Sequence, residues 1–349
     1  MLFSIILAGY NTAPYLPKAL ESITAQTFAD FEAICYVEES TDDSLALCRA
    51  AAEKDPRFQV VSAPKSGAVA STRNYGIDHA RGEYLVVLDG DDWIVPDMLE
   101  KLSRKLAEVG EVDVLSFAAV TTESDEADIK HAPRLTNFRK ADETGVFDGP
   151  NAIRRAGRNG GKMCNHTVLS TYRTEFLRAN RIRQSDGRLM EDFESTPRIW
   201  FHAQRFAYLD EVFYVYRRRP GSLTTEASSR IAVDIVRQFN SLLEFVGKTQ
   251  VPPDILAIWS NQWIAMLYWF LFHPVTSRKL TDAERKRALA ELFAGDGGAK
   301  FQRLCARATL PKRLAAPLVK WAAAGWQFPA KFYFRHLYYP LIERRSKNI

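Results

Sequence analysis

Residues 84–92 read Tyr84-Leu85-Val86-Val87-Leu88-Asp89-Gly90-Asp91-Asp92, an apolar run followed at once by three carboxylates. The run is typical of a buried strand, so the carboxylates follow the point where that strand leaves its sheet. Open α/β sheets bind ligands beyond their strand ends, and Mg²⁺ is held by a few carboxylates together with a ligand's phosphates. The stretch therefore predicts a site for a divalent cation and a phosphorylated molecule. The alternative is a polar turn that caps the helix near Pro96.

The surrounding sequence alternates short apolar runs with helical patterns. The predicted strands are 3–8, 32–37, 58–62, 84–88 and 112–119, and the predicted helices are 15–25, 44–53, 68–79 and 96–108. Strict alternation of this kind implies an α/β fold with a mostly parallel central sheet and helices on both faces. Residues 120–148 carry little apolar periodicity and are predicted to form a mobile loop.

Composition favours a soluble enzyme with reduced thiols. The 349 residues suffice for a large core and more than one structural unit. The N-terminal apolar run lacks a basic region and reaches Asn11 too soon for a secretory signal, so we expect a cytoplasmic protein. The cysteines are far apart, which is unlike a disulfide framework or a zinc site, and they are predicted to be reduced and mostly buried. They are Cys35, Cys48, Cys164 and Cys305.

The positive charge of the chain is concentrated in residues 300–349, which hold eleven Lys or Arg and one acid, Glu343. Trp, Tyr and Phe are interleaved with these cations. This composition favours contact with an anionic membrane surface, where aromatic rings lie among the headgroups. Nucleic acid could use the same chemistry, but we predict the membrane. The alternative is a helical bundle with an aromatic core and a solvated basic face.

The stretch 255–275 is nearly long and apolar enough to cross a bilayer. The polar residues within it favour a buried or interfacial helix, so no membrane span is predicted. They are Ser260, Asn261, Gln262 and His273.

Residues 2–225 resemble the family 2 glycosyltransferases, which have the nucleotide-sugar-binding GT-A fold. The resemblance begins with Ser4-Ile5-Ile6-Leu7-Ala8-Gly9-Tyr10-Asn11 and continues through Gln26-Thr27-Phe28. It implies that Tyr10 lies against the nucleobase, although a core tyrosine at a strand end is the ordinary alternative.

Two further stretches carry the nucleotide part of the resemblance. Residues 37–42, Val-Glu-Glu-Ser-Thr-Asp, stand where the family usually has Asp-Asp-Gly-Ser-Thr-Asp, and Glu38 matches the carboxylate that contacts the base. Residues 67–77 precede Asp89-Gly90-Asp91-Asp92-Trp93 as they do in the family. The resemblance implies that Arg73 contacts the nucleotide, that Asp91 binds the metal and that Asp89 lies near the ribose or a metal-bound water. Arg73 could instead be a structural partner of a strand-end Asp.

The resemblance also places the acceptor chemistry. Met190-Glu191-Asp192-Phe193 matches the family's Glu-Asp motif, with Asp192 as the base that activates the acceptor hydroxyl and Glu191 beside it. An acid at a helix start is otherwise a favourable dipole partner. Residues 214–222 include three consecutive arginines, and Arg217 and Ser222 match the positions that contact the diphosphate. A solvated basic turn is the alternative for the arginines.

Taken as a family member, the chain is expected to be an inverting hexosyltransferase that uses Mn²⁺ or Mg²⁺ on Asp91 and Asp89 and a nucleotide-sugar donor, with a UDP-sugar favoured. The expected acceptor is a saccharide, such as a lipid-linked oligosaccharide for a bacterial surface polysaccharide. Residues 1–225 would form the transferase domain, with a nucleotide-binding half (1–120) and an acceptor-side half (121–225). Residues 226–349 would form a helical region on the inner face of the membrane. The rival interpretations are a catalytically silent sugar-nucleotide-binding module and a nucleotidyltransferase.

Overall fold

The structure is a computed structural model, and it describes residues 1–125, 128–158, 165–219, 228–274 and 277–340. The chain divides into two compact units, Met1–Arg219 and Pro220–Ile349. The assignment of functions to domains remains a prediction.

The first unit contains all the strands of the described residues. The strands are β1 (Phe3–Gly9), β2 (Phe31–Glu38), β3 (Phe58–Ala63), β4 (Tyr84–Asp89), β5 (Trp93–Ile94), β6 (Val114–Thr122), β7 (Arg134–Leu135), β8 (Val146–Phe147), β9 (Ser170–Arg173) and β10 (Phe206–Arg217). The helices are α1 (Leu16–Thr24), α2 (Ser44–Lys54), α3 (Ala70–His79), α4 (Met98–Val109), α5 (Gly149–Arg158), α6 (Thr174–Ala179) and α7 (Glu191–His202). Every strand and helix predicted in residues 1–120 is present, with bounds that agree within three residues.

The strands form one sheet in the order β3-β2-β1-β4-β9-β6-β10-β5. The first four strands pair in parallel, and so do β6 and β10, whereas β9 is antiparallel to both of its neighbours. The register places Ala8 beside Asp89 and Gly9 beside Val37. The carboxyl ends of β1, β2 and β4 therefore meet at one edge, where α/β proteins bind ligands.

The prediction of a loop over 120–148 is only partly correct for the residues that the structure describes in it, because short strands occur there; its mobility stays a prediction. β6 continues to Thr122, β7 pairs with β6, and β8 pairs with β10. Between the short strands Phe138 is buried and stacks on Trp200, with ring centroids 5.5 Å apart. Strands of two residues are too short to produce a period, so the sequence pattern did not indicate them.

The second unit is helical over its described residues. Its helices are α8 (Ser229–Lys248), α9 (Pro253–Phe272), α10 (Asp282–Leu292), α11 (Gly297–Cys305), α12 (Leu310–Ala323) and α13 (Gln327–Tyr333), and a π-helical turn (Phe334–Tyr338) follows. By length and composition α9 alone among the described helices could cross a membrane, but 67% of its most apolar window is buried within the structure. Trp259, Trp263 and Leu267 are fully buried, as expected for the central helix of a bundle. The absence of a span stays a prediction.

The described cysteines agree with the expectation of buried thiols. Cys35, Cys48 and Cys305 are free and buried, and Cys164 lies outside the described residues. They behave as small apolar core residues.

Candidate active site

One arginine joins carboxylates that arrive from two distant parts of the first unit. Arg73 of α3 is 3% exposed, and its Nη1 lies 2.6 Å from Glu191 Oε1 and 2.5 Å from Asp192 Oδ1. Its Nη2 lies 3.4 Å from Asp89 Oδ1 at the end of β4. The structural ion pair with a strand-end Asp, the alternative for Arg73, is therefore present, and the same guanidinium also orients the start of α7.

Asp192 has a second set of partners besides Arg73. The hydroxyl of Thr167 donates to Asp192 Oδ1, and the backbone N–H of Thr167 donates to Oδ2 at 3.1 Å. Gln184 Nε2 donates to the Thr167 hydroxyl at 3.1 Å and thereby supports this contact. The Asp192 side chain retains 18% exposure, so it is fixed in direction and still accessible.

Glu191 and Asp192 begin α7, directly after Met190, whose φ is 63°. A left-handed conformation is costly for a residue with a Cβ and is typical of functional sites. Negative charge at a helix N-terminus is favoured by the dipole, so the structural interpretation of the Glu-Asp pair also holds. Glu191 and Asp192 can therefore stabilise the start of α7 and also take part in the chemistry of the site.

The electrostatics of this cluster are set by burial and by mutual repulsion of the acids. Burial raises the pKa of Glu191 to about 7, even though Arg73 opposes the shift. Burial lowers the pKa of Arg73, but the carboxylates of Asp192, Asp89 and Glu191 reverse this, and the net shift is upward. Arg73 is consequently a permanent cation, whereas Glu191 can exchange a proton near neutral pH.

The three acids of the 89–92 turn differ in their surroundings. Asp92 is buried, accepts a hydrogen bond from Tyr214 Oη at 2.6 Å and accepts another from the backbone N–H of Arg217 at 2.8 Å. Burial, together with Asp91 and Asp89, raises its pKa well above the usual range. Burial likewise raises the pKa of Asp89 against the effect of Arg73, with help from Asp91 and Asp192. Asp92 therefore ties the turn to β10, while Asp89 and Asp91 keep partly exposed side chains. The alternative role of the turn as a helix cap is not seen, because the residue preceding α4 is Asp97.

Two arginines from the end of β10 flank this turn. Arg217 Nε donates to the Asp91 carbonyl at 2.8 Å, and its Nη1 contacts Asp125. Its Nη2 is buried and has no hydrogen-bond partner among the described residues. Arg219 Nε lies 2.7 Å from Asp91 Oδ2. Arg217 and Arg219 thus contact the acidic turn, whereas Arg218 is exposed as in the alternative of a solvated turn. Contact with a diphosphate remains a prediction, and Ser222 lies outside the described residues.

Glu38 is occupied by its own neighbourhood. Its carboxylate is buried at the end of β2 and accepts hydrogen bonds from the hydroxyl of Ser66, from Ser71 Oγ at 2.7 Å, and from the backbone N–H groups of Ser66 at 3.1 Å and Gly67 at 3.4 Å. In this structure it holds the turn before α3. Contact between Glu38 and a base remains a prediction.

Tyr10 is 38% exposed, so it is not the core tyrosine of the alternative interpretation. Lys65 Nζ lies 4.6 Å from the centre of its ring and also contacts its hydroxyl. Next to it, Asn11 has a φ of 48° and its side chain accepts from the Thr41 N–H at 2.9 Å. The aromatic ring is therefore presented at the same strand edge as Glu38 and Asp89.

A divalent cation fits the acidic turn in one specific way. The described residues contain no group of three or more His, Cys, Asp or Glu side chains placed to hold a metal. Mg²⁺ is commonly held by only one or two carboxylates together with phosphates of the substrate. Asp91 and Asp89 provide that number. Burial raises the pKa of Asp89, and Asp91 and Asp192 add to the shift by a repulsion that a cation would relieve. The contact of Asp91 with Arg219 would have to open.

The family model described as "Glycosyl transferase family 2" matches residues 4–179, half of the chain. The chain belongs to glycosyl transferase family 2. The resemblance seen in the sequence is thereby confirmed, and this protein is a glycosyltransferase.

Relatives of this family 2 glycosyltransferase are found in several bacteria. It is 29% identical over 243 residues to the glycosyltransferase GlyG of Streptococcus pneumoniae, a match that covers 68% of this chain and 78% of GlyG. Over 118 residues it is 35% identical to the minor teichoic acid biosynthesis protein GgaB of Bacillus subtilis, which covers 33% of this chain and 13% of GgaB.

The fold of this family 2 glycosyltransferase matches a solved structure closely. S. aureus TarS residues 1–349, determined in complex with UDP-GlcNAc, aligns with a TM-score of 0.75 at 20% identity, covering 96% of this chain and 92% of TarS 1–349. The predicted GT-A fold, with a mostly parallel central sheet and a helical C-terminal region, is confirmed.

The structure brings most of the predicted site residues of this glycosyltransferase to one sheet edge, and it adds some that the sequence did not indicate. Thr167 and Gln184 support Asp192, Lys65 covers Tyr10, and Tyr214 binds Asp92. Thr167, Gln184 and Lys65 belong to no local motif. Tyr214 stands in the stretch 214–222 that resembles the family, but no pattern pairs it with Asp92.

Proposed function

We propose that this glycosyltransferase moves a sugar from a UDP-sugar to a hydroxyl of a saccharide acceptor, with inversion, during synthesis of a cell-surface polysaccharide. The observation that carries the proposal is the junction at Arg73, which links the strand-end Asp89 to the helix-start Asp192. Asp89, the proposed donor-side acid, and Asp192, the proposed base, thus contact the same cation. TarS was crystallised with UDP-GlcNAc, which supports a UDP-sugar as the donor. The name of GgaB refers to teichoic acid biosynthesis, which supports a cell-surface polymer as the product.

The nucleotide would lie along the edge formed by β1, β2 and β4. Tyr10 offers an exposed ring for the base, and Glu38 and Lys65 border the same place. The diphosphate would follow the acidic turn towards Arg217, whose buried Nη2 has no partner among the described residues. An unpaired buried donor is costly, and an oxygen of the diphosphate would satisfy it.

Transfer is a single displacement at the anomeric carbon. Asp192 accepts the proton of the acceptor hydroxyl as that oxygen forms its bond to the carbon, while the bond to the diphosphate breaks and its electron pair leaves with the nucleotide. For this the carboxylate must come within about 3 Å of the hydroxyl. Thr167 and Arg73 fix its direction by the hydrogen bonds that they donate to its two oxygens. Arg73 also stabilises the negative charge of the neighbouring acids.

Asp91 and Asp89 would hold Mn²⁺ or Mg²⁺. Such an ion supplies Lewis-acid stabilisation of the charge that develops on the leaving diphosphate. Arg217 contributes positive charge to the same region from within the protein.

The acceptor is proposed to be lipid-linked, and the enzyme to act in the cytoplasm at the inner face of the membrane. The support is the basic and aromatic composition of residues 300–349 and the teichoic acid that the name of the relative GgaB mentions.

The test is a thermal-shift panel of UDP, GDP, dTDP and CMP, each with and without Mn²⁺, on wild type and Asp91→Ala. Ligands that bind the folded state raise its apparent stability. We expect stabilisation by UDP that needs both Mn²⁺ and Asp91. Stabilisation by another nucleotide under the same conditions would show that the donor carries that nucleotide and not UDP.

A matched control is Asp97→Ala, because Asp97 is an exposed acid near the same strand end whose ion pair is with Lys101. It should keep the wild-type response to UDP. Wild-type protein is then incubated with UDP-sugars and saccharide acceptors, and the anomeric configuration of the product is read by NMR. Nucleotide binding without any product would favour the silent-module interpretation, and a retained configuration would exclude the single displacement.

A further inference from the structure

The apolar residues of α12 are arranged opposite to those of an ordinary soluble helix. Leu310, Leu314 and Trp321 are 62%, 57% and 54% exposed. Their spacing of four and seven residues puts them on one helix face. The buried face is formed by Ala315, Val319 and Ala322, which are small. The helix therefore packs on its own unit through small side chains and presents its large ones outward.

The segment after α12 continues this arrangement. Trp326, in the connection to α13, is 72% exposed, and Phe328 and Phe332 of α13 are 75% and 50% exposed. The rings of Phe328 and Phe332 lie side by side, with centroids 6.0 Å apart. Monomeric soluble proteins rarely leave so many large apolar side chains exposed close together in one segment, and such patches mark interaction sites. We call these six side chains, Leu310, Leu314, Trp321, Trp326, Phe328 and Phe332, the apolar ridge.

Cations are interleaved with the apolar ridge and acids are missing from it. Residues 300–340 contain eight Lys or Arg and no Asp or Glu. Arg313 and Lys320 are exposed on α12, and Arg335 is exposed in the π-helical turn. None of these three forms an ion pair with a described residue, whereas Lys331 pairs with Asp282 at 2.5 Å. The surface around the ridge thus offers unpaired positive charge to a partner.

We propose that the apolar ridge of α12 and α13 docks on an anionic lipid surface, with Leu, Trp and Phe inserted at the level of the headgroups and Arg313, Lys320 and Arg335 on the lipid phosphates. An interfacial helix has this combination of an apolar face and flanking cations. A nucleic acid would satisfy the cations, but Leu310 and Leu314 have no face on which bases stack. A second copy would cover the ridge but would bring the same positive charges together, which is unfavourable.

The test is co-sedimentation of the full chain with vesicles of phosphatidylcholine, alone or mixed with phosphatidylglycerol, at low and high salt. Three variants are compared. The apolar variant carries Leu314→Ser, Trp321→Ser and Phe332→Ser. The charge variant carries Arg313→Gln, Lys320→Gln and Arg335→Gln. The control variant carries Arg49→Gln, Lys54→Gln and Arg181→Gln, which removes the same charge from exposed cations of the first unit.

Wild type and the control variant should bind the mixed vesicles alike and bind phosphatidylcholine weakly. Each Lys or Arg near an anionic surface contributes about fivefold in binding, so the charge variant should bind about 100-fold more weakly at low salt. The apolar variant should lose the binding that survives high salt. Circular dichroism and the thermal response to UDP check folding, and both should be unchanged because all substituted side chains are exposed.

Three results would overturn the proposal. One is equal binding of neutral and mixed vesicles by wild type, or no binding of either. Another is tighter binding to a DNA or RNA duplex than to vesicles, with the duplex lost in the charge variant. The third is a concentration-dependent dimer in analytical ultracentrifugation that the apolar variant abolishes. None of these outcomes depends on the proposed sugar transfer, so a failure here removes the proposed location at the membrane and leaves the transfer itself standing.

Discussion

Asp192 is both oriented and accessible, which is what a positioned general base needs. Replacing it with Asn keeps the size of the side chain and one of its two hydrogen bonds from Thr167 but removes the proton acceptor. We expect sugar transfer to fall by about 10²- to 10⁴-fold, with UDP binding retained. Turnover with saturating donor and acceptor, and calorimetric titration with UDP, measure the two effects.

The matched control is Asp210→Asn, because Asp210 also accepts hydrogen bonds from an arginine and a hydroxyl, those of Arg134 and Tyr208. It should leave transfer unchanged. Undiminished transfer by Asp192→Asn would remove Asp192 from the role of base, and loss of UDP binding would make it a structural residue of the donor site.

Glu191 should make the stability of the protein depend on pH. Its folded-state pKa of about 7 exceeds its ordinary value of 4.5, so between these values the folded form keeps a proton that the unfolded form has lost. The stabilisation is complete below pH 4.5 and is lost as the pH rises through 7. Relative to Glu191→Gln, wild type should therefore lose on the order of 1 to 3 kcal/mol of unfolding free energy between about pH 5 and pH 8.

Urea unfolding of both proteins across this pH range measures the difference. Glu175→Gln, at an exposed position in α6, should give a curve parallel to wild type. A pH-independent difference between wild type and Glu191→Gln would mean that Arg73 keeps Glu191 ionised throughout.

At the scale of elements, Gly90 allows the acidic turn to cross the end of β1. A Cβ at this position would lie 2.5 Å from the carbonyl oxygen of Ala8. Gly90→Ala should lower the unfolding free energy by about 1 to 3 kcal/mol, because backbone must move. Since Asp89 and Asp91 flank it, the affinity for UDP with Mn²⁺ should fall as well.

Gly247 of α8 provides the comparison, because a Cβ there meets no atom within 4 Å. In a helix the change to Ala is expected to stabilise by about 0.5 to 1 kcal/mol. Urea unfolding and UDP titration of both variants test the argument. A Gly90→Ala protein as stable as wild type would show that the turn can shift without cost.

The elements that the sequence predicted well are those whose signal is local. The apolar runs of β1, β2 and β4 are each continuous in the chain, and the acids directly follow the run of β4. The sequence therefore predicted the strand edge and the position of Asp89 and Asp91. What could not be predicted depends on distant pairing: β9 enters between β4 and β6 in the antiparallel sense, and Thr167 reaches Asp192 across 25 residues. No period or spacing rule encodes such contacts.

At the scale of the whole molecule, the candidate catalytic and nucleotide residues that the structure describes all belong to the unit Met1–Arg219. A ligand suppresses only those opening motions that dismantle its site. UDP with Mn²⁺ should therefore slow hydrogen exchange in peptides from 66–92 and 184–217 and leave peptides from the buried helix α9 unchanged. Mass spectrometry of exchange with and without ligand measures this, and equal protection of α9 would show that the units open together.

The ion pair between Arg219 and Asp91 has a consequence for any assay of metal dependence. A cation that binds Asp91 meets a competitor that is part of the chain and cannot be dialysed away. The apparent dissociation constant for the metal then equals the intrinsic one divided by the fraction of molecules in which Arg219 has left Asp91. The apparent metal affinity then depends on how often Arg219 leaves Asp91. A substrate diphosphate that attracts this arginine would raise the apparent metal affinity beyond the contribution of its own contact with the metal.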